Sequence, residues 1–199
     1  MIPGIDVSHY QGEIDWPTLK ASGAVEFAFI KATDGALGLD PSFYRNALGA
    51  GKAGLLYGVY HFMRPDDIPG QIANVLKVVT AEALETHPLM LDVEVATITL
   101  DQVQAFIAAI PQAILYTDRS MIQKWFADPL SRIVQQFPVE DVALWLAEYG
   151  VSTPNPSPWF EWTFWQEKTG RVPGISTLVD LDWFNGSLED LQKFWKLPT

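Results

Sequence analysis

Short β-forming runs alternate with helix-like segments through the first two thirds of the chain, and this alternation constrains the fold more than any other feature. Parallel strands cannot be joined by a tight turn, so strands separated by helical crossovers are the mark of a parallel α/β sheet. The strand candidates are residues 5–8, 25–31, 55–61, 89–94 and 113–117. Amphipathic helices fill the gaps. Ile72, Val75, Leu76, Val79 and Ala83 recur at helical spacing after Asp66-Asp67. Thr99-Leu100-Asp101-Gln102 has the form of a capping box ahead of an apolar face made of Val103, Phe106, Ile107 and Ile110. Asp40-Pro41 reads as an N-cap followed by proline in the first turn.

The last third differs. Residues 142–147, 160–166 and 178–182 read as three further strands, but their connections are short and carry little helical periodicity. That makes eight strands and about five helices in 199 residues, 48% of them hydrophobic, which is enough for one sizeable core. A full (β/α)8 barrel usually needs about 250 residues, so a TIM-like barrel truncated in its later helices is the economical reading. The expected organisation is a single domain over 1–199, (β/α)5β3 in order, with no separate second domain. The passage Thr153-Pro154-Asn155-Pro156-Ser157-Pro158 reads as a loop between strands.

Polar residues fall near the ends of these strands: Asp6, Lys31, His61, Asp92 with Glu94, Tyr116, Gln166, and Asp180 with Asp182. In βα barrels that rim is where sites are built. Asp92 and Glu94 stand out, because alternate side chains of a strand share a face and their stems would lie roughly 6–7 Å apart. Two carboxyl groups about 5–10 Å apart across a sugar bond can divide the work of glycoside hydrolysis. Solvated acids on an edge strand are the plain structural alternative. Glu94 is the candidate general acid, since partial burial and like charge from Asp92 and from Asp6 or Asp180 would help it keep a proton. The remaining carboxylates would attack the anomeric carbon, stabilise the oxocarbenium-like transition state, or orient a substrate group that attacks instead.

Composition removes several other functions. The formal charge is −11, from 13 Lys plus Arg against 24 Asp plus Glu, and no basic run offers a place for phosphates, so nucleic acid and anionic membranes are not expected partners. Cysteine is absent, which excludes disulfides and thiol chemistry. No stretch approaches the roughly 20 apolar residues of a membrane span. His9, His61 and His87 lie far apart without metal-ligand spacing, so no metal and no cofactor are expected. Ser8 and His9 are strand neighbours facing opposite ways and cannot pair as nucleophile and base. Six of the eight tryptophans fall in the last third, with Trp145 and Trp165 the expected lining residues for a sugar ring.

With these residues in place, the chain resembles the family 25 glycoside hydrolases, lysozymes that cut peptidoglycan at N-acetylmuramic acid. The matching pieces are Gly4-Ile5-Asp6-Val7-Ser8, Gln11-Gly12, Ile14-Asp15-Trp16, Phe27-Ala28-Phe29-Ile30-Lys31-Ala32-Thr33 and Tyr57-Gly58-Val59-Tyr60-His61-Phe62. They continue with Leu91-Asp92-Val93-Glu94, Leu144-Trp145-Leu146-Ala147, Phe164-Trp165-Gln166 and Val179-Asp180-Leu181-Asp182. The resemblance implies an irregular, flattened barrel of eight strands and five helices. It implies Glu94 as proton donor, with Asp6, Asp92 and Asp180 as the other site acids and Asp182 as the alternative on the last strand. It further implies substrate contacts from Tyr60, Tyr116, Trp145 and Gln166, to which Lys31 and Asp182 are added as strand-end neighbours. Asp34 departs from the family pattern, standing where many relatives have Glu, and Asp182 occupies a place often held by Asn.

The activity so implied is a retaining endo-N-acetylmuramidase, with the substrate's acetamido group as the assisting nucleophile and Asp92 as its orienting partner. Its partner would be peptidoglycan glycan strands, and the protein would be a monomer. A non-catalytic glycan-binding barrel and a chitinase-like glycosidase are the other readings. The N-terminus passes from Met1-Ile2-Pro3 straight into the first strand without a basic leader. This suggests a phage lysin held in the host cytoplasm until lysis, or a domain cut from a larger secreted or virion protein.

Overall fold

A computed structural model describes residues 1–195. In order these are β1 (Ile2–Val7), a 3-10 turn (His9–Gln11), α1 (Trp16–Ser22), β2 (Phe27–Asp34), β3 (Gly38–Leu39), α2 (Phe43–Lys52), β4 (Leu56–Phe62), α3 (Ile68–Ala81) and β5 (Leu89–Val93). There follow α4 (Leu100–Ala109), β6 (Ile114–Asp118), α5 (Arg119–Trp125), α6 (Arg132–Gln136), β7 (Leu144–Ala147), β8 (Phe164–Gly170), β9 (Val179–Phe184) and α7 (Leu188–Trp195). No helix among the described residues is long and apolar enough to cross a membrane.

Local chemistry sets the helix starts. Thr99 and Gln102 form the expected reciprocal capping box on α4, and Asp67 caps α3 ahead of Pro69 in its first turn. The Asp40-Pro41 expectation is displaced. Helix α2 begins at Phe43, and Asp40 instead accepts the backbone N–H of Ser42 at 2.9 Å and meets His9 Nδ1 at 2.6 Å.

Eight strands close in the order β1, β2, β4, β5, β6, β7, β8, β9 and back to β1, while β3 pairs outside the ring on β2. The first five barrel strands are each followed by helix and the last three are not joined by any, so the (β/α)5β3 barrel is observed as the sequence predicts. The strands are not all parallel, however. β9 runs antiparallel to both β8 and β1. Residues 171–178 join β8 to β9, and a parallel return needs a crossover of a dozen or more residues. The rim therefore takes the first residues of β9, not its last.

Period-two alternation divides the side chains between two cores. Outward positions such as Ile5, Ala28, Ile30, Val59, Leu91, Leu115 and Leu144 pack against the helices. Inward positions fill the barrel with Phe27, Phe29, Met90, Ile114, Trp145, Phe164 and Phe184. Gly4 is required here: a Cβ at that position would sit 2.2 Å from Cζ of Phe27. Helix α7 plugs the end of the barrel away from the rim. Leu191 is buried there, the Trp195 ring lies 5.8 Å from Phe27, and its indole N–H donates to Tyr57 O at 2.8 Å.

Candidate active site

At the opposite end the aromatic filling gives way to polar groups around a cavity of about 250 Å3. β1 brings Asp6, β2 brings Lys31, β4 brings Tyr60, and β5 brings Asp92, with Glu94 just past the strand. Tyr116 comes from β6, Gln166 from β8 and Asp180 from the start of β9. A β-bulge follows Gln166 in its pairing with β9, and another follows Lys31 in the pairing of β2 with β4. Bulges of this kind re-aim side chains beside sites. A wider groove between α2 and the end of α3, lined by Tyr44, Leu48, Tyr57 and Leu84, gathers no comparable set of acids.

The polar groups form one connected chain. The Tyr116 hydroxyl lies 3.0 Å from Glu94 Oε1 and 2.9 Å from Gln166 Oε1. The Tyr149 hydroxyl lies 2.9 Å from Gln166 Oε1 and 2.9 Å from Asp180 Oδ1. Gln166 Nε2 donates to Asp6 Oδ2 at 2.7 Å. Asp92 is buried, and its Oδ1 has no partner. On the flank, Asp34 holds Lys31 Nζ at 2.8 Å and Arg64 Nε at 2.7 Å, and both cations lie over the Phe62 ring.

Burial controls the charges. Desolvation first, and the Asp180 charge second, push Asp6 up to about 8. Asp92 is raised well above the usual carboxylate range by burial and then by Glu94, with Lys31 opposing. Burial and Asp6 likewise raise Asp182, against the pull of a Trp145 N–H bond, and burial raises Asp180. Tyr116 is lifted far above 10, so it stays a neutral phenol.

Residues 5–175 match the model of the family described as Glycosyl hydrolases family 25. The chain belongs to this family. It is 33% identical to lysozyme M1 of Streptomyces globisporus over 94% of its own length and 68% of that protein's. It is 31% identical to the autolytic lysozyme of Clostridium acetobutylicum over 92% of its length, spanning 55% of that relative. The bacterial lysozyme structure from Streptomyces coelicolor superposes with a TM-score of 0.82 at 30% identity, covering 100% of this chain and 98% of the other. The protein is therefore a glycoside hydrolase of the lysozyme family.

In this family 25 enzyme Asp6, Asp92, Glu94 and Asp180 converge on one opening, together with Lys31, Tyr60, Tyr116, Trp145 and Gln166. Three expectations are corrected. Asp182 does not line the opening: it is 1% exposed and accepts the Trp145 indole N–H at 2.9 Å, because on the reversed β9 it lies two residues farther from the rim than Asp180. Trp165 turns away, as the strand neighbour of inward Gln166 must, and donates to Glu148 O while packing on Trp162. Glu94 is exposed where partial burial was expected, since β5 ends at Val93 and leaves it above the rim.

Tyr149 and Tyr10 are residues the sequence reading missed. Tyr149 continues the alternation of Trp145 and Ala147 past the end of β7, and that period was the available signal. Tyr10, 77% exposed on the 3-10 turn with its ring tilted against that of His9, had no local signal beyond being an aromatic in a loop after a rim strand. His61 is structural. Burial lowers it to about 4, and it is held between Thr33 Oγ1 at 2.8 Å and Gln71 Oε1 at 3.1 Å.

Proposed function

We propose that the protein is an endo-acting N-acetylmuramidase that hydrolyses the β-1,4 bond between N-acetylmuramic acid and N-acetylglucosamine in bacterial peptidoglycan. The lysozyme names of the two curated relatives support the substrate. The observation that carries the mechanism is the contrast between the two acids of β5. Glu94 stands at the solvent edge on a phenol, while Asp92 is buried beside it with an oxygen that has no partner.

Glu94 gives its proton to the glycosidic oxygen as the bond from C1 to that oxygen breaks. The acetamido carbonyl oxygen of the same sugar closes on C1, and Asp92 Oδ1 accepts the acetamido N–H, holding the group in line. The positive charge that grows on the substrate favours the ionised form of Asp92 that burial otherwise opposes. Water then opens the cyclic intermediate, returning its proton to Glu94, and the configuration at C1 is retained. Tyr60 and Trp145 form the floor beneath the sugar.

Mass spectrometry of digested, borohydride-reduced peptidoglycan tests the bond. Reduced muramic acid at the new ends is expected; reduced glucosamine ends would replace this reading with a chitinase-like or glucosaminidase one. Glu94→Gln is expected to lower release of reducing ends by about 10²–10⁴-fold with an unchanged thermal midpoint, and full activity would refute its role.

A further inference from the structure

Gln166 has too few hydrogens around it for all its contacts to be hydrogen bonds while the neighbouring acids are ionised. Tyr116 has one O–H but faces two acceptors, Glu94 Oε1 at 3.0 Å and Gln166 Oε1 at 2.9 Å. Tyr149 repeats the pattern between Gln166 Oε1 and Asp180 Oδ1, both at 2.9 Å. The fifth contact joins Gln166 Nε2 and Asp6 Oδ2 at 2.7 Å.

Two arrangements satisfy all five. With the Gln166 carbonyl toward the phenols, it accepts both O–H groups; Glu94 and Asp180 must then be carboxylic acids donating to the phenol oxygens, and Asp6 accepts Nε2–H at an unprotonated oxygen. A half-turn of the amide exchanges oxygen for nitrogen without changing its shape. The NH2 group then donates to both phenol oxygens, the phenols donate to ionised Glu94 and Asp180, and protonated Asp6 donates to the carbonyl. The first arrangement needs a proton on both Glu94 and Asp180 and the second needs neither, so rising pH drives the first into the second.

We propose that Gln166 is a positioning residue that ties the proton on Glu94 to the proton on Asp180, holding Glu94 as an acid when its carbonyl faces Tyr116 and as a base when its nitrogen does. The use of this device in two half-reactions rests on the retaining mechanism above; the linkage itself does not. Other charges face the network. Lys31 on β2, with Asp34 behind it, and Tyr60 on β4 lie on one side; Asp92 flanks Glu94 on β5, and Asp182 on β9 lies beneath Asp6. Asp40 raises Tyr60 and holds His9, the neighbour of Tyr10 at the opening. None of these hydrogen-bonds the Gln166 side chain, so a substitution there leaves them in place.

Gln166→Met keeps the length of the side chain and removes its hydrogen bonds, freeing Tyr116 to donate to the Glu94 carboxylate. The test follows the Glu94 carboxyl carbon by NMR in protein labelled with ¹³C-glutamate, assigned by difference from Glu94→Gln. The pH midpoint is expected to fall by about one unit in Gln166→Met, and in the same direction in Gln166→Asn, whose amide cannot reach both phenols. In a Tyr116→Phe background Gln166→Met should no longer move it. An unchanged midpoint, or an equal shift without the Tyr116 hydroxyl, overturns the proposal. The alkaline limb of kcat/KM on peptidoglycan should move with the midpoint. A wild-type protein that releases no muramic acid ends would defeat the proposed function alone, because the carboxyl titration still decides the linkage.

Discussion

Asp6 on β1 and Asp180 on β9 are direct partners across an antiparallel ladder, so their carboxyl groups stand side by side on the inner face of the barrel. Like charges opposite one another in a sheet are destabilising, and here water cannot relieve them fully. The enzyme keeps this arrangement at the expense of stability, as functional sites often do.

The pH dependence of folding follows from that pair. Asp6 titrates near 3.8 ordinarily and at about 8 when folded, so between these values the folded state binds more protons than the unfolded one. Its contribution to stability is fully present below about pH 4 and is lost as pH rises through about 8. Asp6→Asn should therefore raise the thermal midpoint at pH 8, by about 2–4 °C for each kcal/mol relieved, and leave it nearly unchanged at pH 4. Melting curves that shift equally at both pH values would contradict this. Activity should fall in the same variant.

His61 acts in the opposite sense. Its folded value of about 4 lies below its ordinary 6.5, so its contribution is present above pH 6.5 and lost as pH falls toward 4. His61→Gln should weaken the protein at pH 7 and flatten the decline on the acid side. Denaturant midpoints at pH 7 and 4.5 check both halves.

Asp92→Asn keeps the shape of the side chain and an acceptor for the acetamido N–H but removes the charge. It should lower kcat by about 10² with little change in KM, because the charge matters only as the transition state becomes positive. A rise in KM with normal kcat would assign Asp92 to ground-state binding instead.

The plug of α7 is separable from catalysis. Trp195→Ala removes a ring packed on Phe27 and Phe29 together with its bond to Tyr57 O, and should lower stability by about 2–4 kcal/mol. Activity per folded molecule should survive, since Trp195 lies at the far end of the barrel. Urea denaturation read beside specific activity separates the two effects.

The order of strands and helices was legible because it is written in local signals: the capping box of Thr99 and Gln102, the helical spacing from Ile72 to Val79, and the β-branched runs between them. The direction of β9 was not, because alternation reads the same both ways along a strand; only the shortness of residues 171–178 marked the reversal. The depth of Asp182 and the exposure of Glu94 both turn on where a strand ends relative to the rim, which a residue pattern locates only within a few positions. Tyr149 and Gln166 show the same limit from the other side: their partnership joins chain segments that no spacing connects.

Burial holds the proton on Asp6 up to about 8 and raises Asp92 and Asp182 in the same direction, so the folded molecule is less negative near neutrality than its formal −11. Electrophoretic mobility should accordingly lag behind the value computed from composition and catch up only in alkaline buffer. An anionic polymer approaching the barrel mouth meets a weaker repulsive field than residue counting implies, and it meets that field beside Lys31 and Arg64.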